Sequence, residues 1–481
     1  SLFENKNTVN FQEIADAWYK ILDTQSLNNR FYKDLRNWYA YANQTINIYQ
    51  TEQKNLIPIP EREKQQFILR LITRLIFCWF LKEKQFIAEH FFDPNNLKKY
   101  LLDFDPNNTQ QSQYYKAILQ NLFFATLNVE TPNREFRNNR AYQGKNPDYF
   151  DHSRYRSVDS FYQKENALEE LFKDVPFLNG GLFECLDYKD ANKKEHRIDY
   201  FTDHPQKSKL LDVPNQLFFA DDIITDLSKW YNDPKQNKQK IDGLITLLNH
   251  YKFTVEENTP LEEEVALDPE LLGKVFENLL AEFNDESQTT KRKETGSFYT
   301  PRTIVNYMVA ESLKNYFTTQ LQTHYPQTLP TLLEQLFDDN PKEIPTLDTQ
   351  QKEHFLEAIS QLTILDPACG SGAYPMGILH QLTHLLQKID PDNQAWFEKV
   401  VKKLPVGLRE DFKKQHDKQR IDYVRKLGII FDTIYGVDIQ PIAIHIAKLR
   451  FFISLIIEQQ KDEHLPNFGI QTLPNLEFKL V

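Results

Sequence analysis

Apolar side chains recur at helical spacing through the first third of the chain. Stretches 11–22, 31–42, 61–83 and 114–127 each repeat them three and four residues apart, which predicts four helices. Pro58 and Pro60 precede Glu61-Arg62-Glu63, an extended entry followed by an acidic first turn, so the third helix is predicted to start there. Inside it, Arg70, Leu71, Arg74, Leu75 and Trp79 read as core plus a charged rim. No glycine occurs before position 144, and residues 1–130 are expected to form a helical scaffold domain.

The periodicity then lapses. Residues 130–160 are rich in Asn, Arg, Tyr and Asp, as in a long surface loop. Arg134, Arg137, Arg140, Arg154 and Arg156 interleave with Tyr142, Tyr149 and Tyr155, a pattern open to base stacking and phosphate contact or to a plain solvated loop. Pro176 to Glu184 reads as a turn around Gly180-Gly181, with a short β-region expected through 197–201 and 217–219. Residues 131–260 are therefore expected to be a loop-rich mixed segment. Asp268 as N-cap and Pro269 at the first helical position open another helix, with Leu272, Val275, Phe276, Leu279 and Leu280 on one face.

A different pattern begins at 362. A short apolar β-type run (Ile364, Leu365) meets Asp366 and then the small-residue turn Ala368-Cys369-Gly370-Ser371-Gly372. Met376, Leu379, Leu382, Leu385 and Leu386 follow at helical spacing, so the unit is strand, glycine loop and helix. The chain has only 13 glycines in 481 residues, well below the usual share of about 7%. Gly370, Gly372 and Gly377 are thus placed for a purpose. A second buried strand, Ile434 to Val437, ends in Asp438 and leads into a helix with Ile442, Ile446, Leu449, Phe452, Ile453 and Ile456 inward; residues 476–481 read as a third strand.

Glycine admits positive φ and lets a ligand lie against the backbone, and helix N-terminal amides favour negative charge. A phosphate-binding loop is excluded, because no Lys-Ser/Thr closes the motif. A dinucleotide fingerprint also fails, since its third glycine arrives two positions late. Asp438 at a strand's carboxyl end suits a ribose diol, because an ionised carboxylate accepts two hydroxyl hydrogen bonds. Cys369 reads as a small-residue choice in the turn, with no base in the sequence to make it a nucleophile.

Asp366-Pro367-Ala368-Cys369-Gly370-Ser371-Gly372 closely resembles motif I of the S-adenosylmethionine-dependent DNA adenine-N6 methyltransferases. Thr295 to Arg302, with Gly296, Phe298, Tyr299, Thr300 and Pro301, resembles their motif X, and Ile434 to Ile439 resembles motif II. The order X, I, II, the Gly180-Gly181 turn and the helix at 268 resemble the large fused restriction-modification and phage-defence enzymes. The resemblance implies an α plus α/β architecture. Residues 261–481 would form strands one to three of a Rossmann-like methyltransferase domain, interrupted by an insertion at 391–428. It implies S-adenosyl-L-methionine as cofactor, held by Phe298, Tyr299, Thr300, Asp366, Pro367, Ala368, Gly370, Gly372, Asp438 and Ile439, with no metal. It also implies double-stranded DNA as partner of the full-length protein, with the adenine turned out of the duplex.

The catalytic Asn/Asp-Pro-Pro-Tyr/Phe tetrapeptide of that family occurs nowhere in the chain. With Ser1 at its start, the sequence is expected to be an internal segment, inactive alone, that relies on a C-terminal methyltransferase half and a target-recognition domain. A non-catalytic scaffold binding cofactor or DNA is the alternative, and methylation of RNA or protein glutamine a weaker one. Composition fits a cytoplasmic protein: three scattered cysteines form no disulfide or metal pattern, and the apolar run 67–81 is too short and too interrupted by Arg70, Thr73 and Arg74 to cross a membrane. Net charge is −11, but residues 399–426 carry ten Lys and Arg against four acids, open to a solvated face or to contact with phosphate.

Overall fold

A computed structural model describes residues 24–52, 55–137, 151–178, 181–251, 253, 300–338, 346–403, 409–410, 413, 420–473, 476 and 479–481. Among them the chain is mixed α+β, dominated by helices with small sheets. It divides into two compact units, Ser1–Phe177 with Phe183–Leu272, and Leu178–Leu182 with Gly273–Val481. The predicted helices at 11–22 and 268–280 lie outside the described residues.

In the first unit, helix α1 (Thr24–Thr45) leads into an antiparallel hairpin of β1 (Asn47–Glu52) and β2 (Asn55–Pro58). Helix α2 (Glu61–Glu83) starts where the prolines predicted, with Pro60 extended and Glu61 and Glu63 in the first turn. From Phe67 to Leu81 nearly every side chain of α2 is buried, Arg74 included, so it is the unit's central helix. The 114–127 stretch is helical in wide π-type turns, Tyr114–Leu119 and Asn121–Thr126. Strand β3 (Leu211–Asp212) adds to β1, and two further two-stranded ribbons belong to this unit, with isolated bridges at Leu101–Phe161 and Phe136–Tyr155. Neither part of the expected β-region forms: 197–201 is loop just past a two-residue strand at Glu195–His196, and 217–219 lie in a helical turn, Gln216–Phe219, whose Leu217 carbonyl accepts the Trp38 indole N–H at 2.7 Å. A three-residue apolar run carries no period of its own, and Pro214 before it opens a helical turn.

The arginines of the polar stretch are turned inward. Arg134 donates to the carbonyls of Val129, Phe172 and Thr126, and Arg156 is 1% exposed. Arg137 is buried as well, while Arg154 pairs with Glu135. Arg134 and Arg156 tie loop backbone together, and with Arg137 buried these three do not form an exposed phosphate-facing row; Arg140, Tyr142 and Tyr149 are outside the described residues.

In the second unit, α3 (Arg302–Leu321), α4 (Leu329–Leu336) and α5 (Thr349–Gln361) precede β4 (Ile364–Asp366). Asp348 and Gln351 close a capping box on α5. Helices α6 (Ala373–Ile389), α7 (Gln394–Lys403) and α8 (Ile421–Asp432) then lead to β5 (Ile434–Gly436) and α9 (Pro441–Ile457). Strands β4 and β5 pair in parallel with Ile364 beside Ile434, Leu365 beside Tyr435 and Asp366 beside Gly436. Leu480 makes a parallel bridge to Gly436 on the far side of β5, with the Asp438 N–H donating to the Val481 carbonyl at 2.9 Å. The three segments thus lie in the order β4, β5, 479–481.

Helix α9 is buried on almost every face between Ile442 and Ile456. Each of its large apolar side chains contributes about 1.5–3 kcal/mol on burial. The basic segment is neutralised locally. Lys399 pairs with Glu357, Lys403 with Asp432, Lys426 with Glu458 and Lys413 with Glu410, while the buried Arg425 bonds Asp422 and two backbone carbonyls. The described part of this segment is thus bonded inward at Arg425 and Lys426 and paired at the surface elsewhere, with Lys402 exposed, and Lys414 and Lys418 are outside the described residues.

Candidate functional site

The two parallel strands end side by side, and their acids meet a single turn. Past Asp366 the chain closes Cys369 to Gly372, with the Gly372 N–H donating to the Cys369 carbonyl at 2.8 Å. Gly370 and Gly372 have φ of 53° and 85°, backbone that side-chain-bearing residues adopt at a cost. At Gly372 an added Cβ would also lie 3.0 Å from the Ala447 methyl.

Asp438 meets the turn directly. Its Oδ2 accepts the Gly370 N–H at 3.1 Å and its Oδ1 the Gln440 N–H at 2.8 Å. A carboxylate has about four lone-pair positions, so acceptor capacity remains on Asp438. Asp366 Oδ1 accepts the Ala368 N–H at 3.1 Å, while its Oδ2 is buried without a hydrogen-bond partner. Burial, with the Asp438 charge adding to it, pushes the Asp366 carboxyl above the ordinary carboxylate range. Removing an acid oxygen from water without a partner is costly, and a cationic group brought alongside would offset that cost.

The structure brings Asp366, Gly370, Gly372 and Asp438 together. Pro367, Ala368 and Ile439 flank them in exposed positions, Ile439 at 86% exposure. Thr300 is half-buried just before Pro301, the extended residue that caps α3. Helix α3 lies beside α6, with Val305 and Val309 against Gly377, where an added Cβ would sit 2.6 Å from a Val305 methyl. Farther along α3, the Tyr316 hydroxyl donates to the Ala358 carbonyl, just ahead of β4. The helix therefore runs from the strands' carboxyl ends toward their amino ends. Gly377 serves this helix packing, not the turn. Phe298 and Tyr299 are outside the described residues.

The sequence marked the segment that carries Gly436 and Val437 but not the part each plays at the turn, and it did not mark Arg450 at all. Gly436 lets β5 pass close beneath the turn, because a Cβ there would meet Cys369 Sγ and Leu480 Cδ2, each at 2.9 Å. The Val437 carbonyl accepts the Cys369 N–H, and the buried Arg450 donates to the Ser371 carbonyl at 3.1 Å. Cys369 is itself buried, and burial beside Asp366 and Asp438 pushes its thiol up to about 12, which leaves it inert at neutral pH.

A second polar cluster lies in the first unit. His152, Cys185 and Asp187 bring possible metal-ligating atoms within 4.8 Å of one another. Asp187, however, already accepts the backbone N–H groups of Ile198, Asp199, Tyr200 and Phe201 and faces Arg197. A carboxylate so used braces a loop and has little left for a cation.

No family model matches the chain, and no solved structure matches it. A protein of Methanocaldococcus jannaschii, provisionally described as a type II restriction enzyme and methyltransferase, is 27% identical over 431 residues. The match covers 87% of this chain but 27% of that relative, so the chain spans about a quarter of the relative's length.

Proposed function

We propose that this chain is the cofactor-binding segment of a DNA adenine-N6 methyltransferase of a restriction-modification or phage-defence system, using S-adenosyl-L-methionine. The observation that carries the reading is the turn at Cys369–Gly372 held against Asp438, with an unpartnered Asp366 oxygen beside it. The likeness to a protein described as a restriction enzyme and methyltransferase supports the coarser part of this reading, a methyltransferase of a restriction-modification system.

The residues present fit the cofactor. The remaining acceptor positions of Asp438 suit the two ribose hydroxyls. The unsatisfied Asp366 oxygen suits a cationic amino group, which would relieve its burial. Gly370 and Gly372 leave room for a ligand against the backbone. Pro367, Ala368 and Ile439 supply uncharged surface around it, and the reading assigns the methionine end to Thr300 together with Phe298 and Tyr299, the last two outside the described residues. When bound, the cofactor supplies a methyl group made electrophilic by the sulfonium. The contribution of this chain is binding and orientation, without a metal.

The sequence contains no Asn/Asp-Pro-Pro-Tyr/Phe element to accept the adenine amine. The reading therefore assigns base recognition and methyl transfer to residues outside it, and DNA binding and target recognition to the full-length, cytoplasmic protein. The same absence favours a second reading, a scaffold that binds the cofactor without using it. Transfer of labelled methyl from S-adenosylmethionine by the full-length polypeptide separates the two. Label recovered as N6-methyladenine in unmethylated DNA is expected; label confined to RNA or protein overturns the DNA assignment, and cofactor binding without any transfer supports the scaffold.

A further inference from the structure

Each residue of the Cys369–Gly372 turn is fixed by the strand-to-helix unit that follows it. The Cys369 N–H donates to the Val437 carbonyl, and the Gly370 N–H to Asp438 Oδ2. The Ser371 carbonyl accepts from Arg450, and Gly372 lies against Ala447. Val437 and Asp438 belong to the segment the sequence already marked, whereas Ala447 and Arg450 sit two to three turns farther along α9. Their spacing of three residues puts them on one face of that helix.

We propose that Arg450, with Ala447 beside it, is a positioning residue for the cofactor: it holds the Ser371 carbonyl and thereby sets the turn that faces the ligand. This rests on the reading of the turn as an S-adenosylmethionine site. Arg450 is 5% exposed and Ser371 1% exposed, so the bond is made away from water, where a charged donor to a carbonyl is strong and directional. The Ala447 methyl limits how far Gly372 can move toward the helix. The N-terminus of α9 meanwhile holds Asp438 through the Gln440 N–H. One rigid helix thus aligns the acid and the turn together, and neither Arg450 nor Ala447 need touch the ligand.

The test compares Arg450→Met, Arg450→Lys and Ala447→Val with the unaltered protein, by calorimetric titration with S-adenosylmethionine and by thermal unfolding without ligand. Ile429→Val, a small core change in α8, is the control for lost stability alone. Arg450→Met is expected to weaken binding about tenfold or more, with Arg450→Lys restored to within about threefold because lysine still donates to one carbonyl. Ala447→Val is expected to weaken binding in the same sense, and it carries the test if Arg450→Met does not fold. Ile429→Val should leave affinity unchanged. Unaltered affinity in Arg450→Met, or in Ala447→Val where only that variant folds, overturns the inference; so does a loss no larger than Ile429→Val produces. An unaltered protein with no affinity for S-adenosylmethionine instead overturns the cofactor reading itself.

Discussion

Each unit of this protein holds a pair of neighbouring carboxylates, and the two pairs are treated differently. In the first unit, Asp199 is bonded by Arg74 at 2.8 Å and by the Leu186 N–H, and Asp187 gathers the amides of the loop that follows Arg197. Burial acts to raise the Asp199 carboxyl, but the Arg74 and Arg70 charges outweigh it and hold the group below its ordinary range. In the second unit, Asp438 is only partly engaged, and one Asp366 oxygen is buried with nothing bonded to it. The first pair is satisfied by the fold; the second keeps unused acceptor capacity. A buried polar group left incomplete, beside a turn that keeps side chains away, is the feature on which the proposed cofactor site rests.

That contrast can be broken most forcefully in the first unit. Asp199→Ala strands the buried Arg74 and is expected to cost about 3–5 kcal/mol in denaturant unfolding; a loss below about 1 kcal/mol would mean the pair is not structural. Cofactor affinity, measured under conditions where the variant stays folded, should not change.

Next in size is the second unit. Asp438→Ala is expected to weaken S-adenosylmethionine binding by about 1–3 kcal/mol, read by titration calorimetry, through loss of charge-assisted hydrogen bonds. Unchanged affinity would remove Asp438 from the site.

Asp366→Asn sharpens the comparison because its two effects have opposite signs. A carboxyl whose folded-state pKa is raised contributes stability below its unfolded value and loses it as pH rises through the folded value. Above that raised value the ionised Asp366 is therefore a burden on the protein without ligand, and Asn is expected to raise the melting temperature there while weakening cofactor binding. In the unaltered protein, cofactor affinity should fall as pH drops through the raised Asp366 value. Asp199 runs the other way: its lowered pKa gives stability above the unfolded value that is lost as pH falls through the folded one. A melting temperature lowered by Asp366→Asn at neutral pH would show that the orphaned oxygen is not a burden.

The smallest effect belongs to the surface. Lys399→Ala removes an exposed pair with Glu357 and should cost less than about 1 kcal/mol in denaturant unfolding. A larger loss would show that the basic segment carries stability as the first unit's buried pair does.

Local pattern carried much of this. The Asp366 to Gly372 turn, the Asp438 strand end, the Glu61 helix start and the inward face of α9 follow from residues adjacent in sequence, where propensity and spacing act directly. What distance brings together was not legible. Arg450 reads as one charge on an apolar helix until its Ser371 partner is known, and Gly377 stands out only as one of three close glycines until Val305 is seen against it. Arg134 and Arg156 followed the rule that polar stretches are loops, yet their guanidinium groups bond backbone carbonyls inside. The short apolar run at 217–219 had too few residues to separate strand from helix, and its packing against Trp38 accompanies the helical outcome.

The most direct test is a calorimetric titration of the intact protein with S-adenosylmethionine at neutral pH, repeated on Asp366→Asn. Saturable binding at one site, weakened by the substitution, is the result this account predicts. Absence of binding to the unaltered protein, or binding that Asp366→Asn leaves untouched, would contradict it.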